Sequence, residues 1–179
     1  MAELRRTIAL VGMMGAGKSS IGRRLATRLK VPFQDADDEI EQAAGCTVAE
    51  IFARYGEPAF RDGERKVIER LLTEPPHVLA TGGGAFIDPD TRARIKECAV
   101  SVWIKAPVDI LLARVKRKDD RPLLKTGDPR EVMERLLEER EPIYAEADLA
   151  VDSENGPHAD TVERIVAALE ERGVFEDDK

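Results

Sequence analysis

Short apolar, β-branched runs alternate along the chain with longer stretches of helical period. Thr7–Val11 (TIALV) has no polar break and reads as a strand buried on both faces. Ser19–Leu29 follows, with Ile21, Leu25 and Leu29 on one side of a helix. The same reasoning predicts strands at Val31–Gln34, Val78–Ala80, Ala99–Ile104 and Leu149–Val151. It predicts short helices at Glu39–Ala44 and Val48–Tyr55, parted by Gly45, and a longer one at Phe60–Leu72. Further helices are expected at Pro89–Lys96, Val108–Val115, Arg130–Leu137 and Thr161–Arg172. Alternating strands and helices imply an α/β chain with a parallel sheet covered on both faces. The stretch Lys116–Asp128 (KRKDDRPLLKTGD) breaks the pattern: it is charged, carries Pro and Gly, and reads as a mobile loop.

Composition narrows the class. A chain of 179 residues, 42% hydrophobic and 35% charged, fits one domain with a sizeable core. The net charge of −7 argues against nucleic acid as a partner. It leaves room for a small anion held by a few local arginines. Cys46 and Cys98 form no CxxC pair, so neither a disulfide framework nor a zinc site is expected. His77 and His158 are read as structural or surface residues. The apolar run after MAELRR is too short to span a bilayer and leads to no cleavage site, so the expected compartment is the cytoplasm, with no membrane partner.

Chemistry enters at Gly12–Ser19, GMMGAGKS. It matches G-x-x-x-x-G-K-[ST] between a strand and a helix, the context in which backbone N–H groups cradle phosphates and the helix dipole adds to them. In that motif Lys18 reaches the β- and γ-phosphates and the Ser19 hydroxyl meets Mg²⁺. A switch GTPase would carry N-K-x-D, which is absent. Phe33–Asp37, FQDAD, offers two carboxylates that point the same way while the chain stays extended; Asp38 is taken as the helix cap, leaving Asp35 and Asp37 for a metal or a hydroxyl. Arg61 lies at the edge of an apolar helix stripe with Glu57 and Glu64 as available ion-pair partners. Arg140 falls on the buried stripe Met133, Leu136, Leu137, Tyr144, where a guanidinium needs a carboxylate or phosphate. Arg121 is either a solvated loop residue or a lid arginine that swings onto the transferred phosphoryl group.

Together these motifs resemble shikimate kinase over nearly the whole chain. GMMGAGKS, the D-x-D of Asp35–Asp37, GE-x-x-FR-x-x-E over Gly56–Glu64, the triplet Gly82–Gly84, RPLL at Arg121–Leu124 and R-x-P-x-Y at Arg140–Tyr144 occur in family order. The resemblance implies a three-layer P-loop NTPase fold of the nucleoside-monophosphate-kinase type, with a five-stranded parallel sheet, a substrate subdomain near 35–65 and a mobile lid near 116–128. It implies transfer of the ATP γ-phosphoryl group to the 3-hydroxyl of shikimate, with Mg²⁺, by a monomer. The implied nucleotide contacts are Gly15, Ala16, Gly17, Lys18, Ser19 and Ser20, with Arg114 stacked on adenine, Arg121 at the γ-phosphate and Ser153–Pro157 as the adenine loop. Lys18 and Arg121 would stabilise the transferred charge. Asp37 would hold the ring hydroxyls and act as base; Asp35 would sit near Mg²⁺ with Ser19 as direct ligand; Arg61 and Arg140 would clamp the carboxylate. Gly82, Gly83 and Gly84, at the carboxyl edge of the sheet, would bring backbone against both substrate and γ-phosphate. Another small-molecule kinase of this fold, for gluconate or a nucleoside monophosphate, is the alternative.

Overall fold

The structure is a computed structural model that describes residues 3–115, 127–153 and 156–175. Arg121, with most of the expected lid, lies outside the described residues, as do residues 154 and 155 of the expected adenine loop. Five strands form a wholly parallel sheet in the order β2-β3-β1-β4-β5. They are β1 (Thr7–Val11), β2 (Phe33–Asp35), β3 (Val78–Ala80), β4 (Ala99–Lys105) and β5 (Leu149–Asp152). Among the described residues the helices are α1 (Lys18–Leu29), α2 (Ala36–Ala44), α3 (Val48–Leu71), α4 (Pro89–Cys98), α5 (Val108–Val115), α6 (Pro129–Tyr144) and α7 (His158–Arg172). A 3₁₀ turn, Ala85–Ile87, precedes α4. Cys46 and Cys98 are free thiols.

β1 is the axis of the sheet. Ile8 and Leu10 pair with Val78 and Ala80 of β3 on one side and with Val100 and Val102 of β4 on the other. All five β1 residues are buried, which is why the strand lacks any polar alternation. From β1 the chain runs to the edge strand β2, returns to β3 beside β1, then crosses to β4 and β5 on the other side. That reversal opens a crevice beyond the carboxyl ends of β1, β3 and β4, where open α/β sheets take ligands. α1 packs with α7, α4 lies on β4, and α5 meets α6.

Most element ends fall within a few residues of expectation, and the informative differences have a local reason. The extended chain ends at Asp35, whose side chain caps α2 by accepting from the N–H groups of Asp37 (3.0 Å) and Asp38 (3.4 Å). Asp35, not Asp38, is therefore the cap, and Asp35 and Asp37 do not share the face of one strand. The two helices expected at Val48–Tyr55 and Phe60–Leu72 are both present within α3, parted as expected at Gly56 (φ 83°, ψ 171°) just before Pro58, the second starting earlier than Phe60. α6 begins one residue before expectation, at Pro129, behind its cap Asp128, and carries on through Arg140 to Tyr144. α7 begins at His158 rather than Thr161, directly after Pro157.

Gly12 joins β1 to the phosphate loop at φ 141°, and a β-carbon there would lie 2.7 Å from the backbone oxygen of Ile104 in β4. Both the conformation and the contact exclude a side chain. Gly12→Ala is expected to lose about 1–3 kcal/mol of unfolding free energy. Urea denaturation measures this; an unchanged midpoint would mean that β4 yields at no cost.

Candidate active site

The loop between β1 and α1 is shaped by three glycines in the left-handed region: Gly12, Gly15 (φ 83°) and Gly17 (φ 92°). Neighbouring backbone leaves no space beside it, since a β-carbon on Gly15 would sit 2.7 Å from the Leu111 oxygen of α5. Gly17 is the N-cap of α1 and supplies no capping side chain, so the first N–H groups of the helix remain for an anion. Lys18 is buried, and its ammonium donates to the carbonyls of Gly12 and of Met13. Arg114 of α5 closes the loop from outside by donating to the carbonyls of Gly15 (3.2 Å) and Ala16 (2.8 Å). The Ser19 hydroxyl donates to Asp35 Oδ2 at 2.6 Å, while the other oxygen of Asp35 caps α2. These groups surround a cavity of about 290 Å³, lined by loop residues 14–20 with Asp35, Asp37, Arg114 and His158 on its walls. Ser20 belongs to the same lining.

A second, smaller cavity of about 50 Å³ adjoins the first and shares Met14, Asp37, Gly82 and Gly83 with it. Phe52 and Phe60 of α3 stack beside it with ring centroids 4.7 Å apart. Arg61 lies over the Phe60 ring and pairs with Glu64 at 2.9 Å and Glu57 at 3.4 Å. The ion pairs expected from spacing are thus formed, and they hold the guanidinium at the cavity wall. Glu64 is 1% exposed and its Oε2 has no hydrogen-bond partner among the described residues. Burial pushes its carboxyl above the usual range, against the pull of Arg61, and the charge of Asp37 adds to the rise.

The three glycines after β3 each make room for a different neighbour. None has a positive φ, so close approach rather than backbone conformation selects them. A β-carbon on Gly82 would meet Asp37 Oδ1 at 3.0 Å and Glu64 Oε2 at 3.2 Å. On Gly83 it would meet the Met14 backbone nitrogen at 3.2 Å, and on Gly84 it would fall onto the Arg61 guanidinium. The Gly83 carbonyl accepts from the Tyr144 hydroxyl (2.5 Å) and from Arg140 Nη1 (3.3 Å). Arg140 is only 8% exposed and forms no ion pair among the described residues. Asp37, Arg61 and Arg140 therefore converge on one backbone turn beside the phosphate loop, with Lys18, Ser19 and Asp35 across it.

Two groups in this arrangement had not been assigned a site role from sequence. Glu64 was legible only as a partner of Arg61, and its burial depends on how α3 docks. His158, read as structural or surface, lines the larger cavity. Placing the helix start at Pro157 would have brought it to the ligand edge of the sheet.

An anion cradle joined to a small pocket with two guanidinium groups and a carboxylate is the working end of a P-loop kinase for a small anionic acceptor. The comparisons with known proteins agree. The family model "SKI: Shikimate kinase" matches residues 14–170. The shikimate kinase of Caulobacter vibrioides NA1000 is 61% identical over 170 residues, 94% of this chain and 85% of that protein. A solved shikimate kinase from Acinetobacter baumannii, in complex with shikimate, superposes with TM-score 0.91 at 37% identity, covering 93% of this chain and 94% of that one. A gluconokinase from Sinorhizobium meliloti, at TM-score 0.66 and 19% identity over 95% and 94% of the two chains, shares the fold alone. The chain belongs to the shikimate kinase family, kinases that transfer phosphate from ATP to a shikimate hydroxyl. Among the described residues no helix is long and apolar enough to cross a membrane.

The raised carboxyl of Glu64 gives a stability test. A carboxyl whose folded pKa exceeds its unfolded value favours the fold fully below the unfolded pKa, and that contribution is lost as pH rises through the folded pKa. Glu64→Gln fixes the uncharged form. Its stability relative to wild type should therefore improve from pH 4 to pH 7, read as the difference in urea midpoints at the two pH values. A relative loss of the variant at pH 7 would show that the charged Glu64–Arg61 pair outweighs burial.

Proposed function

We propose that this chain transfers the γ-phosphoryl group of ATP to the 3-hydroxyl of shikimate, as a cytoplasmic monomer using Mg²⁺. The observation that carries the reading is the convergence of Asp37, Arg61 and Arg140 on Gly82–Gly84, directly against the phosphate loop. The substrate pocket is built by residues 35–65 together with the glycine turn, and Lys116–Asp128 is proposed as the lid.

In this reading Arg61 and Arg140 hold the shikimate carboxylate, and the Gly82–Gly84 backbone lets the ring lie close to the phosphate. Asp37 accepts the proton of the attacking hydroxyl as the new P–O bond forms. Lys18 stabilises the charge on the transferred group, joined by Arg121 from the lid. The backbone of Gly15–Gly17 and the start of α1 at Ser19 and Ser20 hold the phosphates, and Arg114 stacks on adenine. Ser19 Oγ and Asp35 Oδ2 are two hard oxygen donors 2.6 Å apart at the edge of the cradle, a donor set that fits Mg²⁺. When bound, the ion offsets phosphate charge and orients the γ-phosphoryl group. Catalysis rests on positioning and electrostatics, with no covalent step on the protein.

A coupled assay with ATP and Mg²⁺ against shikimate, gluconate and AMP should give turnover with shikimate alone. Asp37→Asn keeps the shape and removes the base, so kcat should fall by about 10²–10⁴ while ADP still binds. A kcat within about threefold of wild type would remove Asp37 from the reaction.

A further inference from the structure

The chain has two histidines, and they lie in opposite kinds of environment. His77 is buried against β1, with Nδ1 beside the Pro75 carbonyl (2.9 Å) and the Thr7 hydroxyl (3.3 Å). His158 opens α7 and lines the nucleotide cavity. A β-carbon on Gly17 would lie 3.2 Å from His158 Cε1 and 3.2 Å from Arg114 Nη1. Imidazole and guanidinium thus flank the glycine that precedes Lys18. The Arg114 group is tied to loop carbonyls, whereas His158 Nδ1 is buried with no hydrogen-bond partner among the described residues.

Among the described residues, the charged groups that act on the ring are cationic. Arg114 of α5 and Arg24 of α1 act on it, and the phosphate loop presents backbone there. On α7 itself Asp160 is exposed in the first turn. Burial first, and the two arginines after it, hold the imidazole below its ordinary value of 6.5, so it is neutral in the free protein near pH 7. A nucleotide on the loop reverses that field. Its phosphates place several negative charges beside Gly17 and offset both arginines.

We propose that His158 is a nucleotide-positioning residue that receives a proton from solvent when ATP or ADP fills the loop cavity and holds the bound phosphates as an imidazolium. The inference rests on the nucleotide reading given above and adds a pH dependence to it. Nucleotide affinity rises as pH falls through the titration range of His158, because the proton and the nucleotide favour each other reciprocally.

With only two histidines in the chain, proton NMR follows both ring Cε1–H signals directly, and His158→Gln assigns them. The protein is titrated between pH 5 and 9, free and saturated with Mg²⁺ and ADP. The His158 midpoint should rise by about one pH unit or more on ADP binding, equal to about tenfold tighter ADP at low pH than at high pH. The ADP dissociation constant of His158→Gln should lose this pH dependence. A His158 midpoint that stays or falls while calorimetry shows ADP bound would overturn this inference and leave the nucleotide reading intact. No calorimetric binding of ADP would overturn both.

Discussion

Backbone must come within van der Waals reach of four charged side chains at one turn, and the site depends on that. The turn is Gly82–Gly84, at the end of β3. Any side chain at Gly82 would press on Asp37 and Glu64, and any at Gly84 would displace Arg61. Gly83 meets the phosphate loop at Met14 and lends its carbonyl to Arg140 and Tyr144. The sheet makes this turn possible. β3 lies next to β1, so the residues after the two strands meet, and Thr81 pins the junction with its hydroxyl on the Leu10 carbonyl at 2.8 Å. The phosphate loop and the proposed acceptor pocket adjoin because their strands are neighbours.

The electrostatics follow from that closeness. Among the described residues Arg140 is buried with no carboxylate partner, bonding the Gly83 carbonyl beside the Tyr144 hydroxyl, and Arg61 is shared between an exposed and a buried carboxylate. Buried cations favour an anion that completes their bonding, which suits a carboxylated acceptor. Glu64, pushed toward its neutral form by burial, weakens its own competition for Arg61. The acidic balance of the whole chain does not oppose this, since the field in the site is set by a few side chains within hydrogen-bond range.

Strand β1, the phosphate loop and the start of α1 were legible in sequence because buried parallel strands and phosphate loops impose local rules on residue type. β3 was placed to the residue for the same reason, and α5 by its helical period. The failures came where one residue does two jobs. Asp35 ends a strand, caps α2 and accepts from Ser19, and no spacing rule separates those roles. The start of α7 at His158 rather than Thr161 follows from Pro157 directly before it. Arg140 was legible as a guanidinium on an apolar stripe, yet its partner, the Gly83 carbonyl, lies 57 positions away. The reason for three consecutive glycines was visible only as a demand for close approach. Which group approaches which glycine is a fact of the fold.

The central claim is that missing side chains at the β3 turn assemble the acceptor pocket. Steady-state kinetics of Gly84→Ala test it most directly, because the added methyl group meets only the end of a flexible arginine. The KM for shikimate should rise about tenfold or more as Arg61 is pushed aside. The KM for ATP should stay within about twofold and the urea midpoint should barely move. An unchanged KM for shikimate, with the methyl group accommodated, would contradict the claim.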